Sequence, residues 1–297
     1  MCSQAIGNLS LVNHAFNSIV ECEIYKTVWI GTYERFGWFY DTVMSRAVEA
    51  ECEGGRPPVN QYIHSLGISF YDDLNDLSDL DSLLLLLLPT LQRLYFAENV
   101  MGPSHGDSAS ASRVKTASTT SQFSKLRECA FFWDSSLHNR LYKISPTLHR
   151  IALYRNPVSE EFAHQILDSA TTTSEFELKE LYLVNPKLED ASLPSLFLLL
   201  LNLPNLQKII LFVPCDVLYP VTCFRYAARF RKALAQSPLA ERFGDRIFIS
   251  EMITRYSIQR WMSDAIRDGN LWSQDQVTIF HWIQKYPIEG DEWQLGI

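Results

Sequence analysis

Long hydrophobic runs are missing from this 297-residue sequence. The longest, Leu83–Leu88 and Leu196–Leu201, fall far short of the roughly 20 apolar residues that a membrane-crossing helix needs. Cysteine is sparse and scattered: Cys2, Cys22, Cys52, Cys129, Cys215 and Cys223 form no CxxC pair, which removes the common zinc and dithiol motifs. Cys129 and Cys223 are expected to be buried, reduced thiols. Positive charge is also short, with 26 Lys and Arg against 34 Asp and Glu, a formal charge of −8 and a pI of about 5.4. A nucleic-acid surface is therefore not expected. Met1–Gly7 has no basic stretch leading into an apolar core, so a secretory signal is not expected either, and a cytoplasmic or nuclear location follows.

Catalytic signatures are absent as well. There is no Gly-rich phosphate loop, HExxH or nucleophile elbow, so no enzyme activity, cofactor or metal is expected. Ser104 stands beside His105, but within the Ser- and Thr-rich stretch Gly102–Gln122, whose composition reads as a disordered insertion. His281, between Phe280 and Trp282, reads as a structural residue. Asp73, Asp76 and Asp79 lack the alternate spacing, central Gly and closing Glu of a calcium loop. They suit the first turn of a helix over Leu83–Leu88.

What the sequence does have is repetition. Pro89-Thr-Leu-Gln-Arg-Leu94, Pro146-Thr-Leu-His-Arg-Ile151 and Pro204-Asn-Leu-Gln-Lys-Ile209 are three copies of one phrase. Each runs on as an alternating strand: Leu94-Tyr-Phe96, Ile151-Ala-Leu153, Ile209-Ile-Leu211. Leu148-His-Arg-Ile151-Ala-Leu153-Tyr-Arg-Asn156 fits the leucine-rich-repeat pattern LxxLxLxxN throughout. Further strands are expected at Tyr62–Phe70, Leu126–Phe131, Leu178–Leu183 and Arg246–Ile249. The strand centres are Leu66, Leu94, Cys129, Ile151, Leu181, Ile209 and Ile247, spaced 28, 35, 22, 30, 28 and 38 residues apart. The expected fold is a right-handed α/β solenoid, a leucine-rich-repeat horseshoe over residues 60–250. Residues 1–50 form a helical N-terminal segment, the 102–122 insertion interrupts the array, and residues 251–297 form a C-terminal cap rich in tryptophan.

Because strand side chains alternate between faces, the fourth and sixth positions of LxxLxL should face the core. The third, fifth and seventh should face outward. That places Arg93, Glu128, Arg150, Glu180 and Lys208 in a charged column, with Tyr95, Tyr182, Phe132, Tyr154 and Phe212 beside it. Aromatic anchors next to charge suit a protein partner, and a cross-strand ion-pair ladder is the competing use of the same charges. The aromatic residues are expected to be more exposed than Leu94, Ile151, Leu181 and Ile209.

Ile6–Trp29 carries Leu9, Val12, Phe16, Ile19 and Val20 at helical spacing, then Tyr25-Lys-Thr-Val28. This resembles the second half of an F-box as found in fungal F-box/leucine-rich-repeat proteins, while the Leu-Pro first half has no counterpart. The resemblance implies a substrate-recognition subunit of a cullin (SCF) ubiquitin ligase, holding an unknown protein substrate. Leu9, Val12, Phe16 and Ile19 would then meet a Skp-type adaptor. With the first helix missing, adaptor binding is expected to be weak, those side chains turning inward instead. A free-standing interaction scaffold is the alternative.

Overall fold

The computed structural model describes residues 14–52, 57–69, 78–96, 124–132, 147–154, 158–171, 177–186, 188, 192–215, 221–253 and 258–286. The chain forms two compact units, Met1–Leu148 and His149–Ile297. Both are mixed α/β, with parallel strands pairing in chain order.

The first unit contains α1 (His14–Lys26), β1 (Thr27–Ile30), α2 (Tyr33–Ala50), β2 (Ser65–Ile68), α3 (Ser78–Leu87), β3 (Arg93–Phe96) and β4 (Glu128–Phe132). Thr32 caps α2, its hydroxyl oxygen accepting from the Arg35 N–H at 3.3 Å, and the helix buries Phe36 and Val43. The four strands pair in parallel with Val28, Leu66, Leu94 and Cys129 in one register. The sheet thus starts earlier than the sequence suggests. Thr27–Ile30, expected to belong to an all-helical segment, is the first strand.

The second unit contains β5 (Arg150–Tyr154), α4 (Glu160–Thr171), β6 (Glu180–Val184), α5 (Ser192–Asn202), β7 (Lys208–Cys215), α6 (Val221–Gln236), α7 (Ala240–Phe243), β8 (Ile247–Ile253), α8 (Ile258–Arg267), β9 (Val277–Thr278) and α9 (Ile279–Gln284). Ile151, Leu181, Ile209 and Ile247 share one register through β5–β8, and β9 closes that side antiparallel to β8. Two sequence expectations shift here. The strand at Arg246–Ile249 runs on to Ile253, and Val277–Trp282 is a two-residue strand that turns into α9. Cys223, Ala227, Phe230 and Leu234 are buried, and their spacing of four, three and four puts one face of α6 against the core. From the same helix the Arg231 guanidinium donates to the carbonyls of Ile283 and Tyr286, tying α6 to the C-terminal end of α9.

The repeated phrase has a physical reading at each position. Its Thr hydroxyl donates to a carbonyl of the preceding segment, Thr90 to Asn60 at 2.9 Å and Thr147 to Leu126 at 3.0 Å. Its first Leu is buried at Leu91, Leu148 and Leu206. The carbonyl just before β2, β3, β5 and β6 accepts two N–H groups from the next repeat. His64 takes Gln92 and Arg93, Gln92 takes Arg127 and Glu128, His149 takes Lys179 and Glu180, and Lys179 takes Gln207 and Lys208. Both lone pairs of each carbonyl are used. At the last repeat the Arg246 side chain takes over, its Nε donating to the Gln207 carbonyl at 3.0 Å.

Candidate interaction surface

The charged column is the part of the expected site that reaches solvent. In the second unit Arg150 Nε lies 2.9 Å from Glu180 Oε2, and Lys208 Nζ 3.4 Å from Glu180 Oε1. Register places these three side by side on β5, β6 and β7. Glu180 is the most buried of them, its side chain 13% exposed against 38% for Arg150 and 29% for Lys208. A carboxylate between two cations is a cross-strand ladder, the competing reading of this column, and the outer flanks of both cations still face water. His149 extends the row, its Nε2 2.6 Å from Glu177 Oε2.

In the first unit Arg93 is exposed and lies opposite Glu128 in the β3–β4 register. Glu128 Oε2 accepts from the Tyr95 hydroxyl at 3.0 Å. Glu180 plays the same part in the second unit, its Oε2 accepting from the Tyr182 hydroxyl at 2.7 Å. Burial, reinforced by the hydrogen bond and charge of Glu180, raises the Tyr182 hydroxyl above its ordinary pKa, with Arg150 opposing.

The aromatic columns are not exposed, which corrects the expectation drawn from alternation. Tyr95, Tyr154, Tyr182 and Phe212 are buried, as are Leu94, Ile151, Leu181 and Ile209. The side chain of Phe132 lies outside the described residues. In the second unit the cover is visible. Trp272 meets Tyr182 edge-on with centroids 4.7 Å apart, Trp261 packs on Phe212 at 5.3 Å, and Arg150 Cζ sits 6.0 Å from the Trp272 ring. The tryptophans expected to cap the last repeat therefore lie across the sheet face that was expected to receive a partner. Parallel sheets are commonly covered on both faces, and this one is.

A similar cover acts on the first unit. A Cβ on Gly67 would overlap Cε3 and Cζ3 of Trp29, so the indole lies against the backbone of β2. Sequence reasoning gives Trp261 and Trp272 to the cap of the last repeat and Trp29 to inward packing, but nothing in their own spacing ties them to a particular strand.

No family model matches this chain, and no curated protein or solved structure matches it. Among the described residues no cluster of His, Cys, Asp and Glu could hold a metal ion, and no helix is long and apolar enough to cross a membrane. Leu9 and Val12 lie outside the described residues. Phe16 and Ile19 fall on α1, but their side chains also lie outside the described part. Arg46 joins that helix to α2 through Glu21 at 2.9 Å. His281 is exposed, its Nδ1 2.9 Å from the hydroxyl of Thr278, which caps α9.

Proposed function

We propose that this chain is a non-catalytic protein-binding module of leucine-rich-repeat type, an α/β solenoid that holds another protein. The observation that carries the reading is recurrence at three levels. The phrase repeats in sequence, its apolar residues share one register, and its pre-strand carbonyls make the same paired hydrogen bonds from repeat to repeat. Arrays of this kind present extended surfaces suited to partners. The contact in the second unit is the charged row of Arg150, Lys208 and their shared Glu180, not the aromatic columns. Arg150 and Lys208 are each more exposed than the Glu180 they share, so at this triad the cations are turned outward, which suits an acidic segment of the partner.

Capture of partners by the full chain and by an Arg150→Glu, Lys208→Glu double variant tests the surface. The reading expects binding to be lost in the double variant and kept in Gln236→Glu, an exposed control at the end of α6. Equal capture by all three proteins would overturn it.

Two readings of the module's context remain, a substrate-recognition subunit of a cullin ubiquitin ligase and a free-standing scaffold. The ligase reading is supported by the F-box resemblance of residues 6–29. The scaffold is favoured by β1, because the end of the F-box-like segment pairs with β2 in the sheet. Purified Skp-type adaptor mixed with the full chain separates them. The scaffold expects no complex at micromolar concentrations, and a complex of that strength would establish the ligase link.

A further inference from the structure

Behind the end of β7, away from the charged row, two thiols lie against one short stretch of backbone. Cys215 ends β7 and is half-buried, and Cys223 lies in the first turn of α6 and is buried. Cys215 Sγ lies 3.8 Å from the Tyr286 hydroxyl. The Cys223 thiol donates to the carbonyl of Pro214, the residue before Cys215, at 3.8 Å, so its sulfur sits against the backbone that carries the other thiol. Tyr286 is held in turn, its hydroxyl donating to Glu251 Oε1 at 2.9 Å. The same oxygen accepts the Trp282 indole N–H at 2.7 Å, and the Phe224 ring meets Tyr286 edge-on at 5.1 Å. Burial pushes the Cys223 thiol up to about 12, its hydrogen bond with Cys215 adding to the rise and one with Tyr286 opposing it. The Cys223 sulfur thus lies against the backbone one residue before Cys215, and Cys215 is the less buried of the two.

We propose that Cys215 and Cys223 are an oxidisable thiol pair, closed to a disulfide by exchange with a low-molecular-weight disulfide. The roles follow from exposure. The Cys215 thiolate attacks one sulfur of the incoming disulfide, forming a mixed disulfide and releasing one small thiolate, which takes up the proton Cys215 gave up. The Cys223 sulfur then attacks Cys215 Sγ. The second small thiol leaves with the Cys223 proton. Two protein thiols are oxidised, one external disulfide is reduced to two thiols, and the electron count closes. The bond joins the end of a strand to the first turn of the next helix across nine residues, 215–223. A disulfide needs Cα atoms roughly 4.4–6.8 Å apart, and the Cys223 sulfur already lies 3.8 Å from the Pro214 carbonyl, on the backbone that leads into Cys215. Because the second thiol stays protonated at neutral pH, exchange should quicken as pH rises.

Trypsin makes the test direct, since cleavage after Lys208 and Arg225 leaves both cysteines in one peptide. The full chain is equilibrated with oxidised glutathione, alkylated and digested without reduction. The expected product is peptide 209–225 unalkylated and lighter by two hydrogens, forming faster at higher pH. Cys215→Ser and Cys223→Ser should each lose that species, and Cys223→Ser should trap glutathione on Cys215. Exposed Cys52 reports in the same digest that the oxidant was active. A wild-type peptide with both cysteines alkylated, or a stable glutathione adduct on Cys215 in wild type, would overturn the proposal.

Discussion

Gly67 shows how tightly one residue can be specified. Any side chain there would enter the ring of Trp29, and an indole has no flexible end to bend away. Gly67→Ala should lower stability by about 1–3 kcal/mol, the usual cost of overpacking. Trp29→Leu in the same chain should recover part of that loss in urea unfolding; no recovery would mean the indole is not the obstacle. Glu180 is specified by charge. It serves Arg150, Lys208 and the Tyr182 hydroxyl at once, while both cations keep water on one side. Glu180→Gln should therefore cost only about 1–2 kcal/mol, and less in high salt, where partly exposed charges are screened. Tyr182 and Tyr286 carry a pH dependence. Burial raises both hydroxyls above the ordinary value of 10.0, and hydrogen bonds to Glu180 and Glu251 raise them further. A raised folded pKa gives stability that is fully present below pH 10 and lost as pH climbs toward the folded value. The denaturation midpoint should fall above pH 10, and Tyr182→Phe should blunt that fall.

At the scale of elements, the strands of the array are legible in the sequence and their covers are not. Leu94, Ile151, Leu181 and Ile209 are buried in the expected register because the LxxLxL pattern repeats at short range. Tyr182 and Phe212 mislead because alternation reports two faces without saying that one is wet. Their cover comes from α8 and the turn at Leu271–Ser273, some 50 to 90 residues later in the chain. β1 escapes notice because its apolar residues Val28 and Ile30 are too few to signal a strand until β2 supplies the partner. Trp272→Ala tests the cover. Removing this half-buried indole from Tyr182 should cost about 2–4 kcal/mol, near the lower part of the range for large aromatic truncations. Tyrosine hydroxyl titration should then begin at lower pH, because Tyr182 gains water.

The whole chain consists of two units, each with buried residues of its own on both sides of its strands. The second joins β5–β8 in parallel, closes with β9 and carries the tryptophan cover within itself. Residues 149–297 expressed alone should therefore keep native-like circular dichroism and melt cooperatively. A broad, non-cooperative melt would show that this unit's core is incomplete.

Burial of both faces also sets how the strands can vary. Ile209–Val213 on β7 are buried at every position. Replacing each in turn with every amino acid would give an unbroken band of intolerance, without the two-residue ripple of a sheet wetted on one side. Neutral change in this chain is thereby pushed toward the ends of its strands and the outer sides of its helices.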